Sequence, residues 1–328
     1  MKKLMNSADA FVDEMLDGLV AACPSLRRSG RVVRTAAGPA PGRVGIVSGG
    51  GSGHLPLFTG YVGEGLLDAC AIGDVFAGPS VASCVEAIRA ADGGAGVLLL
   101  YGNYGGDRMN FDLAAESVEF DGVATRSVLG ADDIASAAPA EAHKRRGVAG
   151  IVYAYKIAGA KAATGADLDA VSAAAAATVA ATRTIGVALS PCLIPGAASP
   201  AFELGDQEIE MGMGIHGEPG IWRAPLTSAD AIADEMVDRL LAEPVEESSK
   251  RVSVMVNSLG ATPLEELLIV YRRVSARLAD AGLTVVMPLI GHFATSMEMA
   301  GLSLSICRLD GEREALLAAP AACPFWRV

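Results

Sequence analysis

Four short apolar runs, Val44–Val47, Val97–Tyr101, Ile185–Leu189 and Val252–Val256, are separated by stretches of helical period, and this alternation constrains the fold more than any other feature. Runs this short and this largely apolar suit strands covered on both faces rather than strands with one wet face. Between them, Phe11, Val12, Met15, Leu16, Leu19 and Val20 recur at helical spacing, a helix is predicted to begin near Asn110, another spans Asp167 to Thr182, and Ser228 to Ala242 is helical in period. Thr262-Pro263-Leu264-Glu265 reads as a further helix start, with Thr262 as the cap, Pro263 at the first position and Glu265 three residues after the cap. Gly282 ends that helix before a strand over Thr284–Leu289. Buried strands alternating with helices imply an α/β architecture. A length of 328 residues suggests two such domains. The Pro/Gly/Ala-rich stretch Pro191–Pro200 looks like punctuation but follows a strand directly, so the join is placed near residue 184, giving domains 1–184 and 185–328.

Composition narrows the function by exclusion. With 51% hydrophobic residues the chain builds a large core, yet no window approaches about 18 uninterrupted apolar residues, as a membrane-spanning helix requires. Lys2 and Lys3 have no apolar segment behind them, and Asp9, Asp13 and Glu14 interrupt the region, which argues against a signal peptide. A net charge of -12 makes nucleic acid and anionic membranes poor partners. The six cysteines, Cys23, Cys70, Cys84, Cys192, Cys307 and Cys323, lie scattered in apolar contexts without a CxxC pair, the pattern of reduced, mostly buried thiols in a cytoplasmic protein.

Chemistry concentrates in a few glycine-rich segments. Ser48-Gly49-Gly50-Gly51-Ser52-Gly53-His54 follows a strand, where glycines let backbone N–H groups approach a polar ligand; a purely structural turn is the competing reading. It is not a dinucleotide fingerprint, because the third glycine would fall on His54, and no GK[ST] phosphate loop exists in the chain. Asp107, in Asn103-Tyr104-Gly105-Gly106-Asp107, is either a helix N-cap, the favoured reading on the residues alone, or a general base at the carboxyl end of a strand. His216, in Gly212-Met213-Gly214-Ile215-His216-Gly217-Glu218-Pro219-Gly220, is by default a hydrogen-bonded loop residue and alternatively an imidazole nucleophile. His143 belongs to a basic run with Lys144, Arg145 and Arg146 that reads as a solvated loop, and His292, after Gly291 at a strand end, is structural or near the site. The four histidines show no metal-ligand spacing, so no metal centre is expected.

Taken together these segments resemble the DhaK family, the substrate-binding subunits of dihydroxyacetone kinases. The resemblance runs from about Ala10 to Pro324-Phe325-Trp326. It rests on the Gly-rich loop ending in His54, Gly73-Asp74-Val75-Phe76, Asn103-Tyr104 with Gly106-Asp107, Lys156-Ile157-Ala158-Gly159-Ala160, Gly186 through Cys192, Gly214 through Gly220, and Met255-Val256-Asn257 with Gly260 through Leu264. It implies two α/β domains, each a mixed sheet flanked by helices. It further implies that His216 forms a covalent hemiaminal with the carbonyl carbon of a short ketose, and that His54 and Asp107 act as an acid/base pair at the hydroxyl that is phosphorylated. Gly51, Ser52, Gly53, Gly102, Asn103 and Gly106 would contact the substrate. The same resemblance implies a homodimer, no nucleotide on this chain, and a separate DhaL-like subunit carrying ADP or ATP with magnesium.

The departures from the family pattern matter as much. Where the family reads His-Glu-Pro-Ala-His, this chain has His54-Leu55-Pro56-Leu57-Phe58; a lysine before the Asn-Tyr pair is Gly102, and the threonine before Gly106 is Gly105. They point to altered specificity, toward a four-carbon ketose such as erythrulose. A second reading, from another class, is a non-catalytic ketose-binding paralogue acting as a coactivator or sensor. Retention of His54, Asp107 and His216 favours the enzyme, since sensing needs no acid/base pair.

Overall fold

A computed structural model describes residues 2–245 and 249–328. Among these the chain divides into two compact units, and neither is continuous in sequence. One comprises the residues up to Gly130 together with Val152–Ala177 and Ala315–Val328; the other comprises Ala131–Ile151 and Thr178–Glu314. A single join near residue 184 therefore does not describe this division. The chain leaves the first unit at Ala131, returns at Val152, leaves again at Thr178 and ends in the first unit. A composition shift marks a boundary only where the chain crosses once.

The first unit is built on a six-stranded sheet of β1 (Leu26–Ser29), β2 (Val32–Thr35), β3 (Gly45–Gly51), β4 (Ala69–Gly73), β5 (Val97–Gly102) and β6 (Thr125–Gly130), in the order β1-β2-β4-β3-β5-β6. β4, β3, β5 and β6 run parallel, and the β1–β2 hairpin adds an antiparallel edge. Its helices are α1 (Phe11–Ala22), α2 (Val81–Ala91), α3 (Gly105–Glu119), α4 (Ile151–Ala163) and α5 (Leu168–Ala180). α2 and α3 bury Cys84, Ala87, Ile88, Phe111, Ala114 and Val118 with Val47, Ala71, Leu99 and Tyr101 of the sheet.

β3 shows why the sequence carries so many glycines here. All seven of its residues are buried, and it runs as strand through Gly51 rather than turning into a loop after Val47. Successive side chains point to opposite faces. A Cβ on Gly49 would stand 2.9 Å from the Phe111 ring of α3, and one on Gly50 would collide with the Phe58 ring. The glycines thus admit an aromatic ring on each face of the strand.

The second unit carries a seven-stranded sheet of β7 (Thr182–Ala188), β8 (Glu208–Met211), β9 (Trp222–Pro225), β10 (Arg251–Ser258), β11 (Thr284–Val285), β12 (Leu289–Gly291) and β13 (Gly301–Arg308). The order is β11-β10-β13-β7-β8-β9, with β12 also paired to β10. β10, β13, β7, β8 and β9 are antiparallel neighbours, whereas β11 and β12 run parallel to β10, so this sheet too is mixed. The strand expected over Thr284–Leu289 is two short ones, interrupted where Met287 adopts φ +47. α6 (Ala229–Ala242), α7 (Leu264–Asp280) and α8 (Gly311–Ala318) complete the element order. α7 places Leu267, Val270, Val274 and Leu278 on one buried face against Val254, Val256 and Leu304.

Helix termini partly follow the sequence rules. Ser228 caps α6 by accepting from Ala231 N–H, and after α7 Gly282 takes φ +73 while Leu283 N–H donates back to Leu278 C=O. The α7 start is a correction. Its N-cap is Pro263, and Thr262 is buried, with Oγ1 donating to Gly301 C=O and accepting from Gly301 N–H. The threonine is held by β13, which removes it from the capping position. The basic run is a second correction: Arg145 is only 1% exposed and forms a two-point pair with Glu243 (2.7 and 3.0 Å), and Arg146 reaches Asp133 and Glu218. Only His143 and Lys144 of the four are exposed.

Candidate active site

In the first unit, three segments converge at the carboxyl ends of β3, β4 and β5. Ser52–His54 forms a single tight turn directly after β3. It is stitched to the segment after β4 by Ser52 N–H to Asp74 C=O (3.0 Å) and Gly53 N–H to Val75 C=O (2.7 Å). Gly51 and Gly53 are needed for this approach, because a Cβ at either would stand 2.5–2.7 Å from Val75 C=O. His54 is fully buried, stacked on Phe76 at 5.1 Å with Phe58 edge-on at 6.1 Å, so two rings fix its imidazole plane. Phe58 holds φ +70, a conformation that costs an L-residue about 1–3 kcal/mol, and is 6% exposed. The apolar replacements are thus placed: Phe58 lies against His54, and Leu55 is half-buried.

Asp107 comes from α3. The helix begins at Gly105, earlier than the expected Asn110, with Tyr104 as N-cap and no side-chain capping bond. Asp107 therefore lies inside the first turn, which corrects the N-cap reading. It packs against the segment after β4: a Cβ on Gly78 would stand 3.2 Å from Asp107 Cγ and closer still to Oδ1. Its negative charge, after burial itself, helps push the Cys84 thiol up to about 12. Gly102 is buried at the end of β5, Asn103 N–H donates to Gly130 C=O (3.0 Å), and Gly105 and Gly106 leave open space where a side chain would stand. Ser52 Oγ is buried without a hydrogen-bond partner among the described residues. Gly51, Ser52, Gly53, His54, Gly102, Asn103, Gly106 and Asp107 all belong to this unit, and His216 belongs to the other.

His216 sits in the connection of the β8–β9 hairpin, between Met211 and Trp222, which pair in register. Gly212 and Gly217 both adopt φ +82, and Gly217 N–H donates to Gly214 C=O (3.0 Å), folding the segment into a tight loop. Ser296 Oγ pins the loop through Ile215 C=O (2.5 Å). Glu218 grips His216 twice: Oε2 accepts the backbone N–H (3.0 Å) and Oε1 lies 3.0 Å from Nδ1. Burial works to raise the Glu218 carboxyl, but the hydrogen bond from His216 and the Arg146 guanidinium outweigh it and hold it at about 2. An ionised carboxylate only accepts, so Nδ1 is the donor, and in the neutral ring the lone pair is on Nε2. The imidazole is 24% exposed, open enough for a ligand to reach.

Residues 17–325 match the family model of the Dak1 domain. This chain belongs to the Dak1 family. It is 44% identical to the dihydroxyacetone-binding subunit DhaK of the PTS-dependent dihydroxyacetone kinase 1 of Listeria innocua, over 95% of this chain and 96% of that protein. It is 43% identical to the L-erythrulose 1-kinase of Mycolicibacterium smegmatis, over 100% of this chain and 58% of that protein. The crystal structure of the C. freundii dihydroxyacetone kinase superposes with a TM-score of 0.91 at 34% identity, over 99% of this chain and 60% of that one.

Glu218 is the site residue that sequence reasoning did not assign. The signal was present, since an acid two residues after a histidine in a glycine loop can turn back onto the ring. His292, by contrast, is exposed, with Nε2 3.2 Å from Gly260 C=O. No group of three or more His, Cys, Asp or Glu side chains among the described residues is placed to hold a metal ion, and no described helix is long and apolar enough to cross a membrane.

Proposed function

We propose that this chain is the substrate-binding subunit of a dihydroxyacetone-type kinase, that it captures a short ketose as a hemiaminal on His216, and that a separate DhaL-like subunit supplies the phosphoryl group from a magnesium-bound nucleotide. The observation that carries the reading is the His216–Glu218 pairing, because it directs the Nε2 lone pair away from the carboxylate. Nε2 adds to the carbonyl carbon, the C=O π pair moves onto oxygen, that oxygen takes a proton from water, and the ring gives up its Nδ1 proton by way of the Glu218 carboxylate to solvent, leaving a neutral hemiaminal. Polyols have no electrophilic carbon and are excluded on chemical grounds. In this reading Asp107 accepts the proton of the substrate hydroxyl, His54 is its acid/base partner, and the remaining work is positioning and charge stabilisation. The unsatisfied Ser52 Oγ supports a ligand hydroxyl in the first unit, since buried polar atoms are rarely left without a partner. The near end-to-end match to a DhaK subunit supports the subunit role, and the erythrulose kinase among the relatives supports a four-carbon ketose. A cytoplasmic homodimer is the form that the resemblance implies.

The test is reconstitution. The purified chain alone leaves ATP and ketose unchanged and binds no nucleotide at micromolar concentration. Adding a DhaL-type subunit with magnesium and its phosphoryl donor yields the ketose phosphate. Micromolar nucleotide binding by the isolated chain, or no product with the partner present, overturns the assignment.

A further inference from the structure

The His216–Glu218 pair has a charged backing that the reaction as described does not use. Arg146 Nη1 lies 3.6 Å from Glu218 Oε2, and its other face pairs with Asp133 Oδ2 through Nη2 (2.8 Å) and Nε (2.9 Å). Both partners crowd Gly214 of the histidine loop, where a Cβ would fall on Glu218 Oε2 and 2.5 Å from Arg146 Nη1. Asp133 is 3% exposed and fixed by Ala135 N–H at Oδ1 (3.0 Å), so the guanidinium is held from behind as well as in front. Of the other charged groups nearby, Asp132 is buried with its carboxylate accepting from Val148 and Gly150 N–H. At the far end of the loop Glu210 accepts from Gly220 N–H and is paired with Arg223 (2.8 Å).

We propose that Arg146 is a positioning residue for His216: shared between Asp133 and Glu218, it offsets the negative charge behind the imidazole and keeps the ring neutral, so that the Nε2 lone pair can add to a carbonyl. This rests on the reading of His216 as the nucleophile. A carboxylate against Nδ1 fixes the tautomer, but it also favours a second proton on Nε2, and a doubly protonated ring cannot attack. Arg146 opposes that proton while leaving the tautomer-setting bond intact, and Asp133 draws off part of its charge and so sets the strength of the opposition. With His216 neutral, two carboxylates face one guanidinium. Burial, only partly countered by Arg146, pushes the Asp133 carboxyl up to about 6. As pH falls through that range Asp133 is neutralised, Arg146 acts wholly on Glu218, and the second proton on His216 is opposed more strongly.

The two substitutions therefore act with opposite sign. Arg146→Gln moves the His216 titration about one pH unit alkaline, and Asp133→Asn moves it acid by about half a unit, the scale of one partly screened charge at this range. Protein with 15N-labelled histidine rings is titrated by long-range 1H–15N spectra without any ketose. There are only four histidines to assign, and His216→Ala identifies the signal. Arg146→Lys restores the wild-type titration, as a purely steric role would not require. The proposal is overturned if the folded Arg146→Gln and Asp133→Asn proteins titrate as wild type or shift in the same direction. If Arg146→Gln does not fold, the acid shift of Asp133→Asn decides. Failure of the hemiaminal reading is seen separately, as absence of a ketose adduct on wild-type protein whose ring still titrates.

Discussion

Gly78→Ala probes the role of Asp107 without touching Asp107. Gly78 is exposed, and its backbone lies outside the left-handed region, so alanine is tolerated conformationally and creates no cavity. The new methyl group would stand 3.2 Å from Asp107 Cγ and inside the 3.0 Å that real Cβ atoms keep from Oδ1, which must retreat by about 0.6 Å. The carboxylate is the far end of a flexible side chain, so it turns aside at little cost to folding, within about 1 kcal/mol. For a general base the same movement is expensive. A 1 Å misplacement costs up to about 100-fold in rate, so roughly 10- to 30-fold is expected here. The assay compares kcat for ketose phosphorylation, with the nucleotide-carrying subunit present, against thermal melting and ketose Kd. Wild-type kcat in the folded variant would refute the assignment of Asp107 as the base that this contact positions. A parallel loss of ketose binding would refute the separation of capture from proton removal.

Two further outcomes follow from the same geometry. Asp107→Asn keeps ketose affinity but lowers kcat at least about 100-fold, the usual scale for a positioned general base; near-normal turnover would return Asp107 to a structural role in the first turn of α3. With Phe58 buried against His54 and Gly102 in place of a long side chain, a four-carbon ketose is expected to be at least as good a substrate as dihydroxyacetone. Discrimination by an apolar wall is only about 1–3 kcal/mol per methylene-sized change, and a clear kcat/KM preference for dihydroxyacetone over both erythrulose enantiomers would contradict this.

The class of the fold was legible because its central strands announce themselves. Val97–Tyr101 is apolar throughout and Val252–Val256 is apolar but for Ser253, and both are buried throughout, as β5 and β10. β13 was missed for the opposite reason. Its Leu-Ser-Leu-Ser alternation looks like a strand with a wet face, yet Ser303 and Ser305 are buried and satisfied by Asn257 and Thr184 from neighbouring strands. Long-range pairing hid the site in the same way. Arg145 and Arg146 look solvated in isolation, and their carboxylate partners Glu243 and Glu218 lie far along the chain. Local patterns showed where the glycine loops and the two candidate histidines are. They did not show that Glu218 sets the histidine's tautomer, or that the chain passes repeatedly between two units, because both depend on contacts made only after folding.

The central claim is covalent capture at His216, and 13C NMR with a ketose labelled at its carbonyl carbon tests it most directly. On wild-type protein the carbonyl resonance of the bound sugar is expected to disappear in favour of a tetrahedral carbon bonded to nitrogen, confirmed by coupling to 15N-labelled histidine. The folded His216→Ala protein is expected to show neither the signal nor the affinity. A bound ketose that keeps its carbonyl resonance on the wild type, or a His216→Ala protein with unchanged Kd, would contradict the account.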